Sequence, residues 1–158
     1  MMKDLPYWVA FNHLPGIGPV RFQKILETFE SAEVAWRASS EDLARCLGGK
    51  VAEEILPVKS SLRPEEVFQK ITKLGIQVLS ISDEGYPALV RDITYPPYLL
   101  YLRGEFDFRS YKKWIAIVGT RRATPYGKKA ARYLARTLAE EGWVVVSGLA
   151  IGIDGEAH

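Results

Sequence analysis

IAIVGTRRATPYG, residues 115–127, is the stretch on which the fold of this 158-residue chain turns. Ile115 to Val118 are continuously apolar rather than alternating, as in a strand covered on both faces, and they run into Gly119, a natural turn residue. Thr124 and Pro125 then open a helix, with threonine as N-cap and proline at the first helical position. That helix continues through PYGKKAARYLARTLAEEG, residues 125–142. It places Tyr126, Ala130, Leu134 and Leu138 on one stripe and Lys128, Arg132 and Arg136 on another. WVVV, residues 143–146, follows as a second apolar strand. Strand, helix, strand in this form predicts parallel strands in a covered α/β sheet.

The carboxyl ends of parallel strands share one edge of the sheet, so the loops after the two strands are expected to meet. The first holds Gly119, Thr120, Arg121 and Arg122; the second lies in VVVSGLAIGIDGEAH, residues 144–158, and holds Ser147 and Gly148. Backbone amides at a strand–helix turn, together with the positive end of the helix dipole, form a phosphate site. Thr120, Arg121 and Thr124 add side-chain donors there, arginine through a planar fork that holds two phosphate oxygens at once. Gly148 lets a phosphate approach the backbone, Ser147 supplies a hydroxyl, and Tyr126 offers a ring on which an unpaired base can stack. An ordinary turn at Gly119 and an ordinary cap at Thr124 are the alternative. Asp154 reads as the cap of the next helix. Its four-residue spacing from His158 could pair an acid with an imidazole, but no third partner supports catalysis or metal binding.

Charge is distributed unevenly around this stretch. The formal net charge is only +2, yet residues 109–136 carry Arg109, Lys112, Lys113, Arg121, Arg122, Lys128, Lys129, Arg132 and Arg136 with no acid among them. Residues 137–158 carry four acids and no base. One basic block is the distribution expected where a polyanion is met; the alternative is a solvated helix face.

Toward the amino terminus the pattern becomes helical. Leu14, Ile17, Val20, Phe22, Ile25, Leu26 and Phe29 recur near helical spacing, and a further stretch with Val34, Trp36, Leu43 and Leu47 stops at Gly48 and Gly49. LPGIGP, residues 14–19, supplies a tight turn like the hairpin of helix-hairpin-helix modules. A structural helix junction or a protein-interaction surface fits the same residues. PEEVFQKITKLG (64–75) reads as a helix, IQVLSIS (76–82) and YLLYLRG (98–104) as strands. The division expected is a helical domain over 1–60 and a sheet domain over 61–158. Because a doubly wound sheet needs further crossover units beyond Val146, the chain reads as a truncated form of a longer design.

Composition narrows the class without choosing a function. Hydrophobic residues make up 47% and charged residues 25%, within the globular range. Cys46 is the single cysteine, so an intramolecular disulfide is excluded and a reducing compartment fits. Cys46 and His13 read as helix packing residues. The opening MMKDLPYW lacks the segments of a signal peptide, and the longest apolar stretch, Trp143 to Ile153, is too short to span a bilayer. A cytoplasmic protein without membrane contact is expected.

Together YPALVRDITYPPYLLYLRG (86–104), IAIVGTRRATPYG and VVVSGLAIGIDGEAH resemble, in order and spacing, the signature stretches of the DNA-processing protein A family, also called Smf. The helical start resembles that family's sterile-alpha-motif-like or helix-hairpin-helix region less distinctly. The resemblance implies an extended Rossmann-like domain that binds single-stranded DNA, protects incoming strands during natural transformation and helps load the RecA recombinase. It further implies a homodimer, no cofactor and no turnover. The DNA backbone pocket it implies maps to Gly119, Thr120 and Arg121 and to Ser147 and Gly148. Two other readings stay open: a nucleotide-binding hydrolase of the phosphoribohydrolase kind on the same sheet, and a truncated domain whose exposed strand edges self-associate.

Overall fold

The computed structural model describes residues 4–105 and 107–158, which form two compact units, Met1–Phe106 and Asp107–His158. In the first unit, helices α1 (Leu5–Asn12), α2 (Pro19–Thr28), α3 (Ala32–Arg37), α4 (Ser40–Leu47), α5 (Gly49–Ser61) and α6 (Pro64–Lys73) precede strand β1 (Ile76–Ser80), the short helix α7 (Ala88–Arg91) and strand β2 (Leu99–Arg103).

Local chemistry sets these boundaries. Pro19 opens α2 after the LPGIGP turn, in which Gly16 has φ +71°. The single helical stretch expected through Val34 and Leu47 is two helices. Ser31 caps α3 by accepting from the Val34 amide, and Ser39 caps α4 by accepting from the Asp42 amide. Each serine offers its segment a fresh start, which breaks the run. Phe11, Ile25 and Ile55 are fully buried at the centre of the helical core, and Phe22 makes edge contacts with Trp8 and Tyr98.

The expected division at residue 60 falls inside this unit, in the last turn of α5. Helix α1 packs on α6 and also touches β2, so the helices and the first sheet share a body. β1 and β2 pair antiparallel, Ile76 opposite Arg103 and Ser80 opposite Leu99. This differs from the single parallel sheet expected from residue 61 onward. The connection carries only α7 and a turn, where the Tyr86 hydroxyl donates to the Pro97 carbonyl at 2.6 Å. Parallel strands are usually joined by a full crossover helix, and this link holds only the four-residue α7.

In the second unit, β3 (Trp114–Ala116), α8 (Pro125–Glu140), β4 (Val144–Val146) and α9 (Ile153–Ala157) follow one another. β3 and β4 pair parallel, Trp114 opposite Val144 and Ala116 opposite Val146, as the sequence pattern predicts. The buried stripe of α8 is Ala131 and Ala135, whereas Tyr126 and Leu134 are exposed. Alanine lets a helix backbone approach a strand closely, and the bulkier residues turn outward. The chain is thus a mixed α/β protein with several helices and two small sheets.

Candidate nucleic-acid interface

Both strand-end loops of the second unit converge, as the shared edge of parallel strands requires. The Ile153 amide donates to the Thr120 carbonyl at 3.2 Å. Gly152 has φ +109°, and a Cβ there would collide with the Thr120 carbonyl oxygen and lie 2.7 Å from the Arg121 Cα. Only glycine fits that position, on both counts. A Cβ on Gly119 would lie 2.7 Å from Cγ1 of Ile153. Gly119 therefore makes room for a side chain of the neighbouring loop, a packing role that the turn reading did not include.

Two of the amides expected near a phosphate, those of Gly119 and Gly148, are already occupied. Asp154 is buried, and its carboxylate accepts from the Gly119 amide at 3.0 Å through Oδ1 and from the Gly148 amide at 3.0 Å through Oδ2. The Ser147 hydroxyl faces the same way: it donates to the Asp154 carbonyl at 3.4 Å and accepts from the Leu149 amide at 3.0 Å. Nor does Asp154 cap α9, whose N-cap position is Gly152 and lacks a side-chain cap. The acid instead ties together loops that stand 35 and 6 residues away from it in sequence.

Thr124 does what an N-cap does: its Oγ1 accepts from the Gly127 amide at 3.1 Å. The Thr120 Oγ1 accepts from the Arg122 amide at 3.1 Å and shapes the turn that carries both arginines. Arg121 and Arg122 are exposed and enter no ion pair among the described residues. Tyr126 is 82% exposed two residues beyond Thr124. Gly127 sits against Cδ1 of Ile153, which brings the start of α8 to the same rim as the two loops.

The basic block is less free than its sequence suggests. Lys128 and Arg132, one turn apart on α8, both meet Glu156 of α9, with Lys128 Nζ 3.1 Å from Oε1 and Arg132 Nε 2.6 Å from Oε2. Hydrogen bonds from Lys128 and then Arg132 hold the Glu156 carboxyl below the usual carboxylate range. Arg136 pairs with Glu140 and Arg109 with Asp107. Three acids outside the block thus pair with four of its nine cations. Among the described residues Arg121, Arg122, Lys112, Lys113 and Lys129 have no such partner, and Lys113 lies over the Trp143 ring.

Sequence reasoning brought Gly119, Thr120, Arg121, Arg122, Ser147 and Gly148 to one edge, and the structure places them there. It missed Glu156 and misread Asp154. An acid one turn beyond a glycine loop, IGIDGE, was the available signal, since acids are otherwise absent from residues 142–153. No group of three or more potential ligands that could hold a metal ion occurs among the described residues. Among the same residues no helix is long and apolar enough to cross a membrane.

The family described as DNA recombination-mediator protein A matches over residues 77–158. Protein Smf of Synechocystis sp. is 35% identical over 161 residues, which cover 99% of this chain and 40% of that protein. DNA processing protein DprA of Streptococcus pneumoniae is 39% identical over 158 residues, 99% of this chain and 54% of that protein. In the X-ray structure of DNA processing protein A from Streptococcus pneumoniae, a chain superposes with a TM-score of 0.64 at 28% identity over 97% of this chain and 52% of its own length. The chain thus spans about half or less of these relatives.

Proposed function

Because this chain belongs to the DNA recombination-mediator protein A family, we propose that it binds single-stranded DNA without sequence preference and does so without catalysing a reaction. The supporting observation is the exposed Arg121–Arg122 turn beside the 82% exposed Tyr126. Unpaired arginines cost little to bring against phosphate, because no internal ion pair has to be broken first. An exposed aromatic next to them gives an unpaired base a face to stack on, worth about 1–3 kcal/mol per base in single-strand binders. Phosphate meets side chains in this reading rather than the Gly119 and Gly148 amides, which Asp154 holds. Lys128 contributes only when Glu156 releases it.

The resemblance to DNA-processing protein A extends the proposal to protection of incoming strands, loading of RecA, a homodimer and a cytoplasmic setting. It also carries the Rossmann-like reading of the sheet and the sterile-alpha-motif-like reading of residues 1–60. A nucleotide hydrolase gains no support from Asp154, since its carboxylate is spent on two amides.

Binding of a fluorescent oligothymidine and of a duplex of equal length, each at two salt concentrations, tests the proposal. Affinity for the single strand falls steeply with salt, and Arg121→Ala weakens all sequences alike by about tenfold while lowering the salt slope by about 0.7. Salt-insensitive binding, or an unchanged Arg121→Ala variant, refutes it.

A further inference from the structure

Asp154 is the only buried carboxylate among the described residues. Burying a carboxylate is costly unless hydrogen bonds compensate, and here two backbone donors at 3.0 Å do so. Those donors belong to different loops. Gly119 begins the turn that carries Arg121, and Gly148 belongs to the loop that leads into Gly152, the residue lying against the Arg121 backbone. A single side chain therefore fixes the turn from two directions.

We propose that Asp154 is a positioning residue for nucleic-acid binding: its carboxylate clasps the Gly119 and Gly148 amides and so holds Arg121 in the place where it meets phosphate. The inference rests on the proposed single-strand binding. It also assigns a sign that simple electrostatics does not. A negative charge within a basic surface repels DNA, so removing it should tighten binding. Loss of a positioning contact weakens binding although the protein gains positive charge.

Asp154→Asn separates the two. The amide oxygen keeps one backbone donor, while the new NH₂ faces the other backbone N–H and leaves it unpaired. The expected result is single-strand affinity reduced about fivefold or more, the lower end of the coupling usual between linked sites. A double-mutant cycle gives a readout that general loss of stability would not: in an Arg121→Ala background, Asp154→Asn costs little further. Gly148→Ala is the second variant, for use if Asp154→Asn does not fold. Its Cβ would lie 3.2 Å from Oδ2 of Asp154, displacing the carboxylate slightly with no change of charge, and it weakens binding in the same direction.

Unchanged or tighter binding by Asp154→Asn with wild-type affinity intact overturns the clasp and leaves the binding proposal standing. So does full additivity with Arg121→Ala. If wild-type protein shows no salt-dependent affinity for the single strand, the binding proposal falls and the clasp falls with it.

Discussion

Each unit of this chain uses one aspartate near the start of a helix to serve amides elsewhere, and the two cases differ in their surroundings. In the first unit Asp4 precedes α1 but accepts from the Ala32 and Glu33 amides, at 3.1 and 2.7 Å, at the start of α3. The Trp8 indole donates to it as well, at 2.9 Å. Those amides are the unpaired donors of a helix terminus, so Asp4 ties α1 to α3 and stabilises an aromatic helical core. In the second unit Asp154 joins the loop that carries the exposed Arg121 and Arg122 to the loop at Gly148. The same chemistry thus supports a closed core in one place and an open rim in the other.

Phe11→Ala should have the largest effect, about 3–5 kcal/mol of stability lost from the first unit, because a fully buried ring leaves a cavity among packed aromatics. Urea unfolding followed by tryptophan fluorescence measures it. Asp4→Ala should cost about 1–2 kcal/mol by freeing two helix-start amides. DNA affinity should stay the same in this variant, and an affinity loss equal to that of Asp154→Asn would erase the distinction between the clasps.

The smallest effect concerns Glu156. Its carboxyl is depressed in the folded chain by Lys128 and Arg132, so the stabilisation it gives is present above its unfolded value, about 4.3, and is lost as pH falls through the lower folded value. A carbon-detected NMR titration should place its midpoint below that of an ordinary glutamate, and Lys128→Ala with Arg132→Ala should return it. At neutral pH, Glu156→Gln frees both cations and should tighten single-strand binding about two- to fivefold, with a steeper salt slope. Weaker binding would mean that Glu156 supports the rim as Asp154 does.

Several of these features were legible from residues alone. The apolar runs at Ile115–Val118 and Val144–Val146 around a proline-opened helix announced the parallel pair, and Thr124 announced its cap. The stripes read on α8 did not single out its buried pair, Ala131 and Ala135, because periodicity groups residues by side without saying which side a strand can approach. The two alanines win that contest by size.

The order of strands and helices and the basic block were determined by local composition and spacing, since each depends on neighbours within one or two turns of chain. The tertiary structure decided which partners those residues met. β1 found β2 rather than the parallel pair, Glu156 reached Arg132 across 24 residues, and Asp154 reached Gly119 across 35. Hydrogen bonds and ion pairs act over a few ångströms of space, and two groups far apart in sequence come within that range only once the backbone has closed around them.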